Sequence, residues 1–131
     1  MVHINFIAVF VSALAALLFG GLWYSPALFL KSWLKESGVS TPKPHTPFTY
    51  ILSFLLMLIA AIVFAFFLGE NPPLGQSIII GVVSGFTWSG ASFGINYAFA
   101  GKSFRLWLID AGYHVGQFTL YGLILGLWHG A

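Results

Sequence analysis

The feature that most limits what this chain can become is a set of four long apolar runs, at about 4–24, 48–68, 74–100 and 104–128. Each reaches or exceeds the roughly 20 residues that an α-helix needs to cross a hydrocarbon core of about 30 Å. Inside lipid every backbone N–H and C=O must be bonded within the segment, so the runs are expected to be helices. A β-barrel would need segments of alternating polarity. The stretch 54–67 is apolar nearly throughout and does not alternate. A water-facing domain carries about a quarter charged residues. Here 6% are charged and 59% hydrophobic, so the outer surface is built to face lipid. The expected fold class is all-α membrane, a single domain of four transmembrane helices over residues 1–131.

The connections refine this picture. Gly69–Pro73 and Gly101–Ser103 are tight turns, which force antiparallel neighbours and an up-down bundle. Only 25–47 is long. Ser25 fits a helix N-cap, Pro26 a first helical position and Gly38 a C-terminal stop. Between them Leu30, Trp33 and Leu34 fall on one face and Lys31, Lys35 and Glu36 on the other. A short interfacial helix over about 26–37 is expected there. The first run lacks a basic leader and ends in Trp23-Tyr24-Ser25-Pro26, so it is expected to remain as a membrane helix rather than be cleaved.

Charge gives orientation. Side B is the end holding the 25–47 and 101–103 connections. All five basic residues, Lys31, Lys35, Lys43, Lys102 and Arg105, lie there or at its boundary. Side A holds both termini and Glu70, with no Lys or Arg. The positive-inside rule then places side B in the cytoplasm and both termini outside, in a bacterial inner membrane. Trp23, Tyr24, Trp33, Tyr50, Tyr97 and Trp107 read as an aromatic belt near side B, and Trp128 as its counterpart on side A.

Helices in lipid associate through small residues and a few hydrogen bonds. Gly81 and Gly85, then Gly90 and Gly94, stand at GxxxG spacing, as do Gly112 and Gly116, and Gly122, Gly126 and Gly130. These faces serve packing within the chain or contact with a second copy, as at Gly122–Gly126. The second run has almost no such face and is expected to meet more lipid.

Ionisable groups at membrane depth are costly and mark candidate sites. Asp110 lies about 9 Å past Phe104 at roughly 1.5 Å per residue. Asp110, His114, Gln117 and Tyr121 form a stripe at helical spacing, flanked by Tyr113. Ser84, Trp88, Ser92 and Asn96 form a second stripe on the third run, expected to face the first across the tight turn. Two readings stand: interhelical hydrogen bonding, or a site for a polar headgroup, a small solute or a proton. The candidate ligand-binding residues are Asp110, His114, Gln117, Asn96, Ser92, Tyr113, Trp23 and Tyr24.

Other classes find little support. With no cysteine there is no disulfide or thiolate site. His3 and His129 lie at side A, far from His114, and His45 is in the loop, so no metal cluster is expected. Formal net charge is only +2 with no basic run, which argues against a nucleic-acid partner. No GxSxG, HExxH, P-loop or dinucleotide motif is present, and neither a cofactor nor an enzymatic activity is expected. A triad of Asp110, His114 and Ser92 would need three chance convergences.

Several residues in order resemble a known family. They are Ile4-Asn5, Leu22-Trp23-Tyr24-Ser25-Pro26 followed by Phe29, Lys31 and Trp33, then Gly94-Ile95-Asn96 and Lys102-Ser103-Phe104. Ile109-Asp110-Ala111-Gly112-Tyr113, Gly122 and Trp128 complete the set. Over nearly its whole length the chain looks like the domain of unknown function 1761 family, small membrane proteins of bacteria and fungi. The resemblance implies a four-helix membrane domain without an established activity. The expected function is non-enzymatic binding of membrane lipid, a small hydrophobic molecule or another membrane protein. A permease-like oligomer with a polar path along the fourth helix, an enzyme acting on a lipid, and an accessory subunit of a larger complex are the alternatives.

Overall fold

The computed structural model describes residues 1–40 and 43–128. All regular structure among them is helical. Five helices follow in order: α1 (Phe6–Trp23), α2 (Leu30–Ser37), α3 (Pro47–Leu68), α4 (Leu74–Ala100) and α5 (Phe104–Leu127). With 18, 22 and 27 residues, α1, α3 and α4 are long and apolar enough to cross a membrane. At 24 residues α5 is as long, but Arg105, Asp110, His114 and Gln117 make it less apolar.

The starts are set by local chemistry. Asn5 Oδ1 accepts from Ala8 N at 3.0 Å, Thr46 Oγ1 from Thr49 N at 3.4 Å and Ser103 Oγ from Leu106 N at 3.1 Å. Each satisfies an N–H that the first turn of a helix leaves without a partner. Gly101 ends α4 at φ 69°, a left-handed conformation that a side chain would strain, and this lets α5 turn straight back.

The polar helix α5 is the hub, packed against α1 and α4 and antiparallel to both. Small residues allow the close approach. A Cβ on Gly122 would run into the Ser77 carbonyl, and one on Gly81 into the Phe118 carbonyl. One on Gly126 would lie 3.1 Å from Leu74 Cα. The Gly122–Gly126 face considered for a second copy is thus filled by α4 of the same chain; Gly130 and His129 lie outside the described residues. Toward α1, Gly112 receives the Trp23 ring, Gly116 receives Phe19, and Gly20 receives Tyr113. The core cluster joins Ala8, Val9 and Ala16 of α1 to Ala61, Phe64 and Ala65 of α3 and to Phe118, Tyr121 and Leu125 of α5. The rest of α3 is largely exposed apolar surface, as expected, although Ala61 and Ala65 do give it a small-residue face.

Two expectations are corrected. The short helix spans Leu30–Ser37, not 26–37. Ser25 does not cap it: Ser25 Oγ is buried without a partner, while its carbonyl accepts from the N–H groups of Leu28 and Leu30. Phe29 N–H donates back to Trp23 O at 3.1 Å, and the two rings pack with centroids 4.5 Å apart. The chain therefore spends 25–29 on a tight reversal before α2 begins. Gly38, at φ 77°, does end it.

The second correction concerns α4. Residues Gly85–Gly90 form a π-helical turn, with Ala91 N–H bonded to Phe86 O. Such a turn holds one residue more than an α turn and shifts the phase of everything after it. Ser77, Gly81 and Ser84 are buried before it and Gly90 at its end. The expected stripe is broken at this turn: Ser84 is buried, but Trp88, Ser92 and Asn96 are exposed and do not face α5.

Candidate functional site

Asp110 is carried by the inner face of α5 and is 7% exposed. Its Oδ1 accepts from the Tyr24 hydroxyl at 2.6 Å and from Trp33 Nε1 at 3.1 Å. Its Oδ2 accepts from the Tyr97 hydroxyl. The three donors come from the end of α1, from α2 and from α4, so one carboxylate ties four elements together. No cation takes part. The ion pair found among the described residues is Arg105 with Glu36, 4.0 Å apart, with the Arg105 side chain well exposed. Taking a carboxylate out of water costs several kcal/mol, and hydrogen bonds to an ionised acceptor are about twice as strong as neutral ones. Three such bonds are what this geometry supplies in place of a counter-ion.

A shell of aromatic rings fixes the donors. Trp23 Nε1 donates to Ile109 O at 2.9 Å, the carbonyl next to Asp110 in sequence. Tyr113 OH donates to Ala16 O at 3.0 Å, and its ring lies 5.7 Å from that of Tyr24. Tyr24 and Trp33 meet edge to face at 6.3 Å. Trp107 Nε1 donates to Gly90 O at 2.8 Å and so secures the end of the π turn against α5.

Deeper along α5 a second set of polar groups forms a line with a fixed direction. The Tyr121 hydroxyl donates to Met57 O at 2.8 Å, because a carbonyl only accepts. Its oxygen then accepts from Gln117 Nε2 at 2.8 Å. That leaves Gln117 Oε1 facing His114 Nδ1 at 2.7 Å, so Nδ1 must carry the hydrogen. In the neutral ring the other nitrogen, Nε2, then has the lone pair. Phe93 of α4 stacks on the imidazole, with centroids 5.0 Å apart at 21°.

Of the residues singled out from sequence, Asp110, Tyr24, Trp23 and Tyr113 meet in one place, and His114 and Gln117 meet in a second. His114 bonds Gln117 rather than Asp110. Asn96 and Ser92 join neither group: Ser92 Oγ donates to Trp88 O within its own helix, so the Asp110–His114–Ser92 arrangement does not form. Trp33 and Tyr97 read as belt residues in the sequence, yet both bond Asp110. Tyr97 is the neighbour of Asn96, and the phase shift of the π turn puts the one in place of the other. The five-residue step from Gly85 to Gly90, after the four-residue step from Gly81, was the signal for it. Among the described residues no group of three His, Cys, Asp or Glu side chains could hold a metal ion.

Together these features define an all-helical protein with three helices suited to a membrane and a polar interior gathered on a fourth long helix. The chain belongs to a family of unknown function: the family model described as "Protein of unknown function (DUF1761)" matches residues 7–126, nearly its whole length. No curated protein and no solved structure matches it significantly.

Proposed function

We propose that this is a four-pass integral membrane protein that works by binding a lipid or another hydrophobic molecule rather than by catalysis. The fourth crossing is α5, whose Asp110 and Gln117 are enclosed by other helices and so stay out of contact with hydrocarbon. The basic residues of side B support an orientation with that side in the cytoplasm and both termini outside, in a bacterial inner membrane. A tag on each terminus, both reached by a membrane-impermeant reagent in intact cells, is the expected result for that orientation.

One observation carries the binding reading. A cleft of about 190 Å³ opens between α3 and α4, walled by Ala60, Val63, Phe64, Phe67, Trp88 and Phe118. Its walls offer only aliphatic and aromatic surface, apart from the Trp88 indole N–H. Such a cleft takes a hydrocarbon chain and rejects polar solutes. The non-enzymatic part is supported by Asp110, whose two oxygens both accept bonds from side chains that tie helices together.

Native mass spectrometry of protein extracted with its surrounding lipid tests this directly. The wild type should retain lipid. Ala60→Trp, which fills the cleft, should retain less while melting at a similar temperature. A wild type that carries no lipid, or a filled variant that carries as much, would overturn the reading.

The line from His114 through Gln117 and Tyr121 favours a second reading, a permease-like oligomer with a polar path along α5. Proteoliposomes that pass neither protons nor small solutes would remove it.

A further inference from the structure

The end of the molecule opposite Asp110 holds a second cavity. About 160 Å³ in volume, it lies between the residues preceding α1, the α3–α4 turn and the end of α5. Ala65, Leu125 and Pro72 are buried and form its floor. Glu70 and Asn71 are exposed and form its rim, with Asn5 and Trp128 beside them. We infer that this cavity is a binding site for an organic ammonium group, set against the Glu70 carboxylate and the Trp128 indole.

The charge pattern comes first. Glu70 is the only acidic residue at this end, and none of the five Lys and Arg residues of the chain lies near it in sequence. Its Oε1 accepts from the His3 backbone N–H at 2.6 Å. Among the described residues Oε2 has no hydrogen-bond donor, and no ion pair forms with the Met1 ammonium. Among the described residues the carboxylate is therefore held in place at the cavity mouth without a counter-charge.

The walls then select the ligand. A primary or quaternary ammonium brings the missing positive charge, and a Trp ring face attracts cations of this kind. Its methylene or methyl groups match Leu68 and Leu125. An anion meets like charge at Glu70, and a pure hydrocarbon would strip water from the carboxylate without replacing it. A bare divalent ion needs several converging oxygen ligands, whereas one carboxylate is supplied here. Asn71 adds to the shape: at φ 47° it holds a left-handed conformation that non-glycine residues adopt infrequently, bending the α3–α4 turn around the cavity.

The ammonium could arrive on a lipid headgroup or as a free amine, so two arms are needed. In the first, protein in nanodiscs of phosphatidylglycerol alone is titrated with ethanolamine. In the second, phosphatidylethanolamine is added to the discs. The readout in both is the melting temperature, read against sodium chloride at matched ionic strength. A saturable rise with free ethanolamine identifies a soluble amine as sufficient; a rise only with the lipid identifies the headgroup. Glu70→Gln keeps an oxygen for the His3 N–H and removes the charge. It should weaken the effect about two- to fivefold, as expected for loss of one exposed charge contact. Trp128→Leu, outside the polar rim, should weaken it as well and carries the test if Glu70→Gln does not fold. No saturable rise in either arm, or an equal rise in the folded variants, overturns the inference. Neither result depends on whether the α3–α4 cleft holds lipid.

Discussion

The Tyr24 hydroxyl donates to Asp110 Oδ1 at 2.6 Å across eighty-six residues of chain. This bond fixes the end of α1 to α5 at the point where the chain leaves for α2. Trp33 then returns from α2 to the same oxygen, and Tyr97 reaches the other from α4. The surface helix is thereby positioned by a group inside the fold, not only by its amphipathic face.

Removing that group should be costly in a specific way. Asp110→Ala leaves three donors without a shared acceptor in a buried place, and loss of about 3–5 kcal/mol of stability is expected. Asp110→Asn retains one oxygen for Tyr24 and Trp33 and should lose about 1–2 kcal/mol. Melting of the detergent-solubilised variants checks the order. Equal melting of the alanine variant and the wild type would mean that the carboxylate holds nothing together.

Glycine substitutions should separate packing from propensity. A Cβ at Gly122 meets the Ser77 backbone, which cannot move aside as a flexible side chain can. Gly122→Ala should therefore cost about 1–3 kcal/mol by forcing α4 and α5 apart. Gly75 lies in the same helix pair with nothing within 4 Å of its added Cβ. There alanine should be neutral or stabilising by up to about 1 kcal/mol, its helix propensity being the only change. The two melting curves side by side decide whether close backbone approach is what holds this pair.

The apolar runs and their tight turns could be read from sequence because lipid exposure leaves a strong compositional signal. So could Asp110, as a lone acid deep in an apolar run, and Gly38, as a stop. Trp33 and Tyr97 could not be told from belt aromatics, since an aromatic ring near a boundary looks the same whether its polar atom faces headgroups or a buried carboxylate. The facing of α4 departs from the sequence pattern for a different reason. A constant period of 3.6 residues carries Ser84 through Trp88 and Ser92 to Asn96, but the π turn over Gly85–Gly90 interrupts that count. The hydrogen-bonding direction at His114 was out of reach, because it is set by Met57, a residue with no polar side chain.

That direction makes a prediction of its own. With Tyr121 bound to donate into Met57 O, neutral His114 should exist as the Nδ1–H tautomer. Tyr121→Phe frees Gln117 to rotate, so both tautomers should then be populated, with a stability loss of about 1 kcal/mol for the missing bond. Nitrogen chemical shifts of the labelled imidazole distinguish the two forms. A wild type already showing mixed tautomers would mean that the line from His114 to Met57 is not continuous.

The π turn can be tested by deletion. A turn of this kind equals an α-helix with one residue inserted, so removing one residue from Gly85–Gly90 should restore regular α geometry without rotating either flank. Thr87 is exposed, and its hydroxyl bonds only Val83 O in its own helix. In the Thr87 deletion Gly81 and Gly85 should still face α5 on one side of the join, and Gly90 and Tyr97 on the other. Tyr97 then keeps its bond to Asp110, and Trp107 its bond to Gly90 O. Deleting Leu108 from the regular helix α5 is a contrast. It would turn Asp110 and every residue beyond it by about 100° relative to Phe104. The Thr87 deletion should melt within a few degrees of the wild type and the Leu108 deletion should fail to fold, both judged by size-exclusion and thermal melting. Equal failure of the two would show that the π turn is required by the packing rather than accommodated by it.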